Sequence, residues 1–432
     1  MKKFVNTVSA FQFFHLVRYA TLILIGIVFT KTSLSQNEIG EYETFLFLAG
    51  AVSFFWLNGM LKAFLPMAMV KDSEKTNIFS AFVVLQVYSL LAVIFLFALQ
   101  GQFSIFLLNG KEVPYATLLL FYILLIGPAN LVEYYYLAKK QNTAIIIYGI
   151  LSFLLQFVLV VLPVILGLGV SVALKGLVVS SLARYAWLLI LMIVNSEIRI
   201  SVSFIREHLK LGGPLVLATL LSGSAQFVDG FIVTSRFDEG SFAVFRYGAR
   251  ELPLAMLLAN ALSNAMLPTF SNEDNLMENM DTLRRSVKRL MHFLFPLTAI
   301  LLLISKPLFP ILFNPDFAAS ATIFNIYLLL VISRLMMPQT ILNGLKITTP
   351  IMGASFFELV VNVALSLIFV QFWGLPGIAF ATFLAYLFEK VILAVVVRQR
   401  LGFTLSDYLP IGLFYIYSAG ILVIFIFAEL IF

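Results

Sequence analysis

Residues 143–165 read TAIIIYGILSFLLQFVLVVLPVI, an apolar run without a charge. A helix rises about 1.5 Å per residue, so this run is long enough to cross the roughly 30 Å hydrocarbon core of a bilayer. The turn that follows, Gly167-Leu-Gly-Val-Ser-Val-Ala173, leads into a second apolar run over 170–194. The arrangement returns late in the chain, where the run 349–371 is followed by Gly374-Leu-Pro-Gly-Ile-Ala-Phe-Ala381 and a run over 375–397. Small residues after such a turn let two helices approach closely, so both places read as tight hairpins of spanning helices.

Outward from these hairpins, further apolar runs cover 11–31, 44–70, 78–99, 114–137, 210–235, 241–269, 289–313, 319–345 and 408–431, making thirteen expected spans. With 61% hydrophobic and only 12% charged residues in 432, and a mean hydropathy of +1.01, the composition excludes an ordinary soluble globule. The expected fold class is an all-α polytopic membrane protein of two pseudo-symmetric six-helix bundles plus one extra C-terminal transmembrane helix. The expected domains are an N-terminal lobe over 1–200, a C-terminal lobe over 201–400, and the added helix in 401–432. The chain has no cysteine, and its three histidines stand far apart at 15, 208 and 292. No disulfide framework, metal site or cofactor is therefore expected. The opening Met-Lys-Lys-Phe lacks a small-residue cleavage site after a short apolar run, so the first span is expected to be retained.

Lysine and arginine set the orientation, because cytoplasmic loops retain them. One side of the expected membrane collects Lys2, Lys3, Lys71, Lys75, Lys139, Lys140, Arg199, Arg206, Lys210, Arg284, Arg285, Lys288, Arg289, Lys346, Arg398 and Arg400. The other holds Lys31, Lys111, Arg236 and Lys306. The asymmetry places the N-terminus in the cytoplasm and makes the net charge of +6 a statement about topology rather than nucleic-acid binding. Of the long cytoplasmic connectors, 195–210 divides the chain near its middle and reads as the joint between the halves. The other, 271–292, carries Leu276, Met277, Met280, Leu283, Val287 and Leu290 at three- and four-residue steps with basic residues between them. It reads either as an amphipathic helix on the membrane surface or as a solvated basic face.

Charge inside the spans is the functional signal, since an ionisable residue in a spanning helix costs several kcal/mol and normally faces a bundle interior or a wet cavity. The densest stretch is 209–271. Ser222, Gln226 and Asp229 recur at helical spacing there, Arg246 and Arg250 stand four apart, and Glu251 follows. Two readings are open. Asp229 or Glu251 forms a structural ion pair with the arginines, or the arginines receive an anionic substrate, for which guanidinium geometry suits phosphate. Elsewhere His15 and Arg18 share a face of the first span, Asn58 and Lys62 a face of the second, and Glu358 and Asn362 a face of the eleventh. Glu133 follows the break Gly127-Pro128-Ala-Asn130, and Arg334 precedes the break Pro338-Gln339. Prolines at like positions in two halves free backbone carbonyls that need a protein interior or a water-filled path. Lys175, Arg184, Lys390 and Glu133 lie near enough to an interface to snorkel. The remaining set leaves any cavity it lines net cationic, which suits an anionic cargo.

Three stretches carry a resemblance: Leu34-Ser-Gln-Asn-Glu-Ile-Gly-Glu-Tyr42, Phe242-Ala-Val-Phe-Arg-Tyr-Gly-Ala-Arg-Glu-Leu-Pro253, and Ala261-Leu-Ser-Asn-Ala-Met-Leu-Pro-Thr-Phe-Ser271. They resemble polysaccharide flippases of the Wzx type, within the multidrug, oligosaccharidyl-lipid and polysaccharide exporter superfamily. The resemblance covers spans 1 to 12 and implies two six-helix bundles around a central cavity. It also implies movement of an isoprenoid-pyrophosphate-linked oligosaccharide from the cytoplasmic to the outer leaflet of a bacterial inner membrane by alternating access, for surface polysaccharide synthesis and without enzymatic catalysis. Expected partners are the lipid-linked oligosaccharide, membrane lipids and polysaccharide polymerase or ligase machinery. On this reading Arg18, Lys62, Asp229, Arg246, Arg250 and Arg334 are substrate-binding candidates, and His15, Glu133 and Glu358 are coupling-ion candidates. The alternative is a cation-coupled multidrug exporter of the same superfamily. It would need an embedded carboxylate early in the N-terminal lobe, where the first span offers only His15 and Arg18. A membrane glycosyltransferase would need a longer outer loop than 31–43 or 100–113 to form a donor site.

Overall fold

The computed structural model of the protein describes residues 7–68, 74–108, 110–249, 253–270 and 275–431, and among them every regular element is helical. The chain divides into two compact units, Met1–Gly223 with Thr234–Ala243, and Ser224–Val233 with Val244–Phe432. The first holds α1 (Thr7–Phe29), α2 (Gln36–Met67), α3 (Glu74–Leu107), α4 (Ala116–Ala129), α5 (Leu131–Ala138), α6 (Asn142–Ile165), α7 (Gly169–Asn195) and α8 (Val202–Gly223). Next come α9 (Ala225–Arg236) and α10 (Glu239–Gly248), whose residues are shared between the units. The second unit continues with α11 (Pro253–Phe270), α12 (Leu276–Leu312), α13 (Ser320–Leu328), α14 (Leu330–Arg334), α15 (Pro338–Gly344), α16 (Thr349–Trp373), α17 (Leu375–Leu401), α18 (Leu405–Tyr408) and α19 (Ile411–Ile431).

Ten of these helices are long and apolar enough to cross a membrane, and twelve spans result if two broken pairs each count as one. The broken pairs are Val202–Leu221 with Gln226–Arg236 and Ser320–Arg334 with Pro338–Gly344, the latter bent by 49°. The eighth expected span, 241–269, runs through 250–252, outside the described residues. The last expected span is present as α19. On α3, Leu90, Leu91, Ile94, Phe95 and Phe97 are each about half exposed, a continuous apolar surface that water would not tolerate and hydrocarbon accepts.

In the first unit α2 packs along α8, α6 against α7 and α1, and α4 against α7 and α3. The α2–α8 contact is close because glycines stand at the crossing: a Cβ on Gly59 would overlap the Val216 backbone, and one on Gly212 would strike the Met60 sulfur. The buried His208 ring nitrogen Nε2 lies 2.9 Å from the Met60 carbonyl. These contacts hold α8 against α2 within the first unit. The two glycine hairpins of the sequence form as expected, with Gly167 at φ +73 and Gly374 at φ +61. In each hairpin a later glycine lies against the preceding helix, Gly176 on the Leu159 carbonyl and Gly377 on the Phe369 carbonyl, where a Cβ would not fit.

One expectation is corrected. Residues 276–292 are the first turns of α12, a continuous helix to Leu312, and not a separate surface helix. Met280, Leu283, Val287 and Met291 are fully buried, while Arg284, Arg285, Lys288 and Arg289 are exposed. α12 packs against α11, α13, α18 and α19, and the Asn279 side chain donates to the Thr269 carbonyl at 2.9 Å. The periodic apolar stripe correctly marked a face to be buried, and protein buries it in place of lipid. The extra helix α19 is fixed within the second unit by Glu429, which takes Lys306 Nζ at 2.8 Å, Thr322 Oγ1 at 2.9 Å and Asn325 Nδ2 at 2.8 Å.

Candidate functional site

In the first unit, two span faces carry exposed polar groups. α1 buries Ala10, Phe14 and Ile25 and exposes Gln12, His15 and Arg18. The Phe11 ring meets His15 edge-on at 4.5 Å. α2 buries Trp56, Met60, Leu61 and Phe64 and exposes Asn58 and Lys62 on one stripe. A guanidinium or ammonium on an otherwise apolar span needs either satisfying protein partners or water, and the exposed Arg18 and Lys62 suit a water-lined face. Gln12 extends the expected pair on α1. It sits one turn before His15 and carries no charge to draw attention.

Glu133 and Arg184 belong to a different class. Both are buried, with 2% and 5% side-chain exposure, and their closest ion-pair approach is 3.5 Å. Arg184 Nε donates to the Tyr148 hydroxyl at 2.9 Å and an Nη donates to Asn130 Oδ1 at 3.4 Å. The guanidinium also lies over the Tyr148 and Phe153 rings at 5.7 and 5.6 Å. Neither residue snorkels. Asn130, at the junction of α4 and α5, donates its Nδ2 to the Ile126 carbonyl at 2.6 Å and presents its Oδ1 to Arg184. A buried guanidinium needs both its charge and its donors satisfied, and this pocket does both.

The second unit centres on Asp229 of α9, which is 5% exposed. Its Oδ2 accepts from the Tyr327 hydroxyl of α13 at 2.5 Å and the Thr382 hydroxyl of α17 at 2.6 Å. Asn362 Nδ2 of α16 donates to Thr382 Oγ1 at 3.1 Å, and Ser366 Oγ donates to Asn362 Oδ1 at 3.3 Å. Asp229 Oδ1 has no hydrogen-bond partner among the described residues. Among the described residues, hydroxyls hold this carboxylate. Glu358 lies one turn before Asn362, is 4% exposed, and its Oε1 is likewise unpartnered among the described residues. On α17, Glu389 accepts from Ser355 Oγ at 2.9 Å and Lys390 Nζ at 2.6 Å. Lys390 also reaches Gln339 Oε1 at 2.9 Å, tying the α14–α15 break to this carboxylate. Lys390 is therefore held inside the unit and does not snorkel.

The remaining candidates are placed as follows. Arg246 is half-buried on α10, and Arg334 sits with its guanidinium 5.9 Å from the centre of the Tyr386 ring. Arg250 and Glu251 lie outside the described residues, so the expected arginine pair and its ion-pair alternative are not visible. The expected stripe Ser222, Gln226 and Asp229 is divided between two helices: Ser222 belongs to α8, whereas Gln226 is exposed at the start of α9 and Asp229 is buried there. Sequence reasoning missed Tyr327, Thr382 and Tyr148, because neutral hydroxyls in apolar spans give no charge signal. It also missed Asn260 and Asn264, exposed four residues apart on α11. That spacing was a readable signal.

Comparison with known proteins accords with this architecture. The profile of a family described as polysaccharide biosynthesis protein matches residues 21–322. No curated protein sequence matches the chain. Among solved structures, the fold is similar to that of the lipid II flippase MurJ in an inward closed conformation, with a TM-score of 0.73 at 19% identity, covering 97% of this chain and 93% of that one. A multidrug resistance MATE family transporter of the MOP superfamily, inward-facing, gives 0.64 at 15% identity over 88% and 94%. A MOP superfamily transporter from Pyrococcus furiosus, described as having a binding pocket of reverse polarity, gives 0.62 at 15% identity over 92% and 96%. The chain is a multi-pass membrane protein with the fold of these transporters, and it belongs to the polysaccharide biosynthesis protein family.

Proposed function

We propose that the protein is a flippase that moves an isoprenoid-pyrophosphate-linked oligosaccharide from the cytoplasmic to the outer leaflet of a bacterial inner membrane by alternating access, with its N-terminus in the cytoplasm. One observation carries the reading: Arg18 and Lys62 stand exposed on α1 and α2, within spans otherwise suited to hydrocarbon. Fixed cations at that depth attract a phosphorylated headgroup, and the family's link to polysaccharide synthesis names the class of cargo. The fold shared with a lipid II flippase supports the same mode of action. For the Pyrococcus furiosus transporter, reverse polarity of the binding pocket is said to suggest a different function, which supports reading cargo from cavity charge.

In this reading Arg18 and Lys62 of the first unit, and Arg246, Arg250 and Arg334 of the second, serve the pyrophosphate. Asp229 and Glu358 are the coupling groups, since each is buried with an oxygen that no described residue satisfies. Glu133, expected as a coupling candidate, is better suited to holding Arg184 and α7 in place. The two six-helix lobes and the added C-terminal helix belong to this reading, as does delivery of the flipped lipid to polymerase or ligase machinery. No catalytic step is assigned to the protein. The test is depletion in cells: lipid-linked oligosaccharide should accumulate on the cytoplasmic leaflet, with rescue by wild type and not by Arg18→Glu with Lys62→Glu. Altered drug sensitivity without that accumulation would favour the multidrug exporter.

A further inference from the structure

On the first unit, α5 and α7 enclose a groove of about 600 Å³. Its lining is Tyr136 from α5 and, along one face of α7, Ala183, Ala186, Trp187, Ile190, Leu191, Val194 and Asn195. The volume falls within the roughly 300–1,000 Å³ of sites that take small ligands. Ala183 and Ala186 form a low floor, and Trp187 Nε1 donates to the Tyr136 hydroxyl at 3.0 Å, holding the one aromatic wall against the other. Neither the buried cluster around Arg184 nor the exposed cations of α1 and α2 line this groove.

The groove is amphipathic along its length. α5 ends at Ala138 and α7 at Asn195, so one end of the groove coincides with the ends of both spans. Asn195 lines it there and is exposed. Lys139 follows Tyr136 by three residues in helical backbone, at φ −81 and ψ 0, which puts it one turn beyond Tyr136 on the same face. Lys140 follows and is exposed. The rest of the lining is apolar, and it continues onto Ile193, which is 69% exposed on α7. An apolar channel running into the span, with an aromatic pair near its end and two lysines following directly on the end of α5, is complementary to a lipid chain carrying a negative headgroup at the membrane surface.

The geometry points to a binding site for one anionic phospholipid of the surrounding bilayer, its acyl chain along α7 and its phosphate on Lys139 and Lys140. The charge of the mouth selects the occupant. A zwitterionic lipid would fill the apolar part equally well but would gain less from the lysines, because its own ammonium offsets its phosphate.

The test uses the full chain purified in detergent and titrated with phosphatidylglycerol or phosphatidylethanolamine of matched chains, with bound lipid counted by native mass spectrometry. Wild type should retain phosphatidylglycerol preferentially. Lys139→Gln with Lys140→Gln should lower that affinity by about fivefold for each lysine removed and leave phosphatidylethanolamine binding unchanged. Ala186→Trp, which fills the floor, should reduce binding of both lipids. The surface glutamine pair keeps the test informative if the tryptophan variant folds poorly. Equal retention of the two phospholipids by wild type, or undiminished preference in the glutamine pair, would overturn the proposal. So would binding confined to an undecaprenyl pyrophosphate probe, which would make the groove a substrate site.

Discussion

Glu133 and Asp229 are both carboxylates buried in spanning helices, yet their surroundings differ in kind. Glu133 faces the Arg184 guanidinium, itself held by Tyr148 and Asn130, so charge cancels charge and the cluster is complete. Asp229 has, among the described residues, the hydroxyls of Tyr327 and Thr382 on one oxygen, with the neutral Asn362 amide nearby. A neutralised pair is suited to fixing helices in place. A carboxylate held by neutral donors remains able to gain a proton or a cation, and that difference separates structural from functional charge here.

The comparison can be broken most forcefully at Glu133. Glu133→Ala leaves a buried guanidinium without its counter-charge and is expected to cost about 3–5 kcal/mol, seen as a large fall in melting temperature or in folded yield. Asp229→Asn keeps size and hydrogen-bonding capacity, so stability should change little while transport falls by about tenfold or more, the equivalent of one charged hydrogen bond. Equal destabilisation by the two substitutions would erase the distinction. Next in size, Arg18→Glu and Lys62→Glu are each expected to leave stability within about 0.5 kcal/mol of wild type, as exposed sites do, while reducing transport.

A smaller effect sharpens the contrast with charge outside the spans. Asp238 caps α10, its Oδ1 accepting from the Ser241 N–H at 2.7 Å. The Ser241 hydroxyl and N–H hold its carboxyl below the ordinary value of 3.8. Because the folded value is the lower one, the stabilisation is present above the unfolded value and is lost as pH falls through the folded one. Asp238→Ala should therefore cost about 1 kcal/mol near neutral pH and nothing in strong acid, as read from melting curves at both.

Most of the fold was legible because hydropathy and glycine carry it. The run 143–165 and the turns at Gly167 and Gly374 became the elements they announced, whereas the apolar stripe over 276–290 announced a helix but not that it is the start of α12. The stripe did not say which surface would cover it, since protein and lipid both accept Met280 and Leu283. The site was legible only where it was charged. Arg18 and Lys62 stood out, whereas Tyr327 and Thr382 did not, because a hydroxyl in an apolar span costs little and looks like packing. Arg184 was misread as snorkelling because its distance from the helix end is visible in sequence and its bond to Tyr148, across two helices, is not.

The most direct measurement of the central claim is flipping in proteoliposomes, read as the loss of a lipid-linked oligosaccharide from one leaflet to a glycan-binding probe, with wild type, Asp229→Asn and Arg18→Glu with Lys62→Glu side by side. The account predicts protein-dependent flipping by wild type and its loss in both variants while they remain folded. Flipping that both variants retain in full, or none by folded wild type whichever cation or proton gradient is imposed, would contradict it.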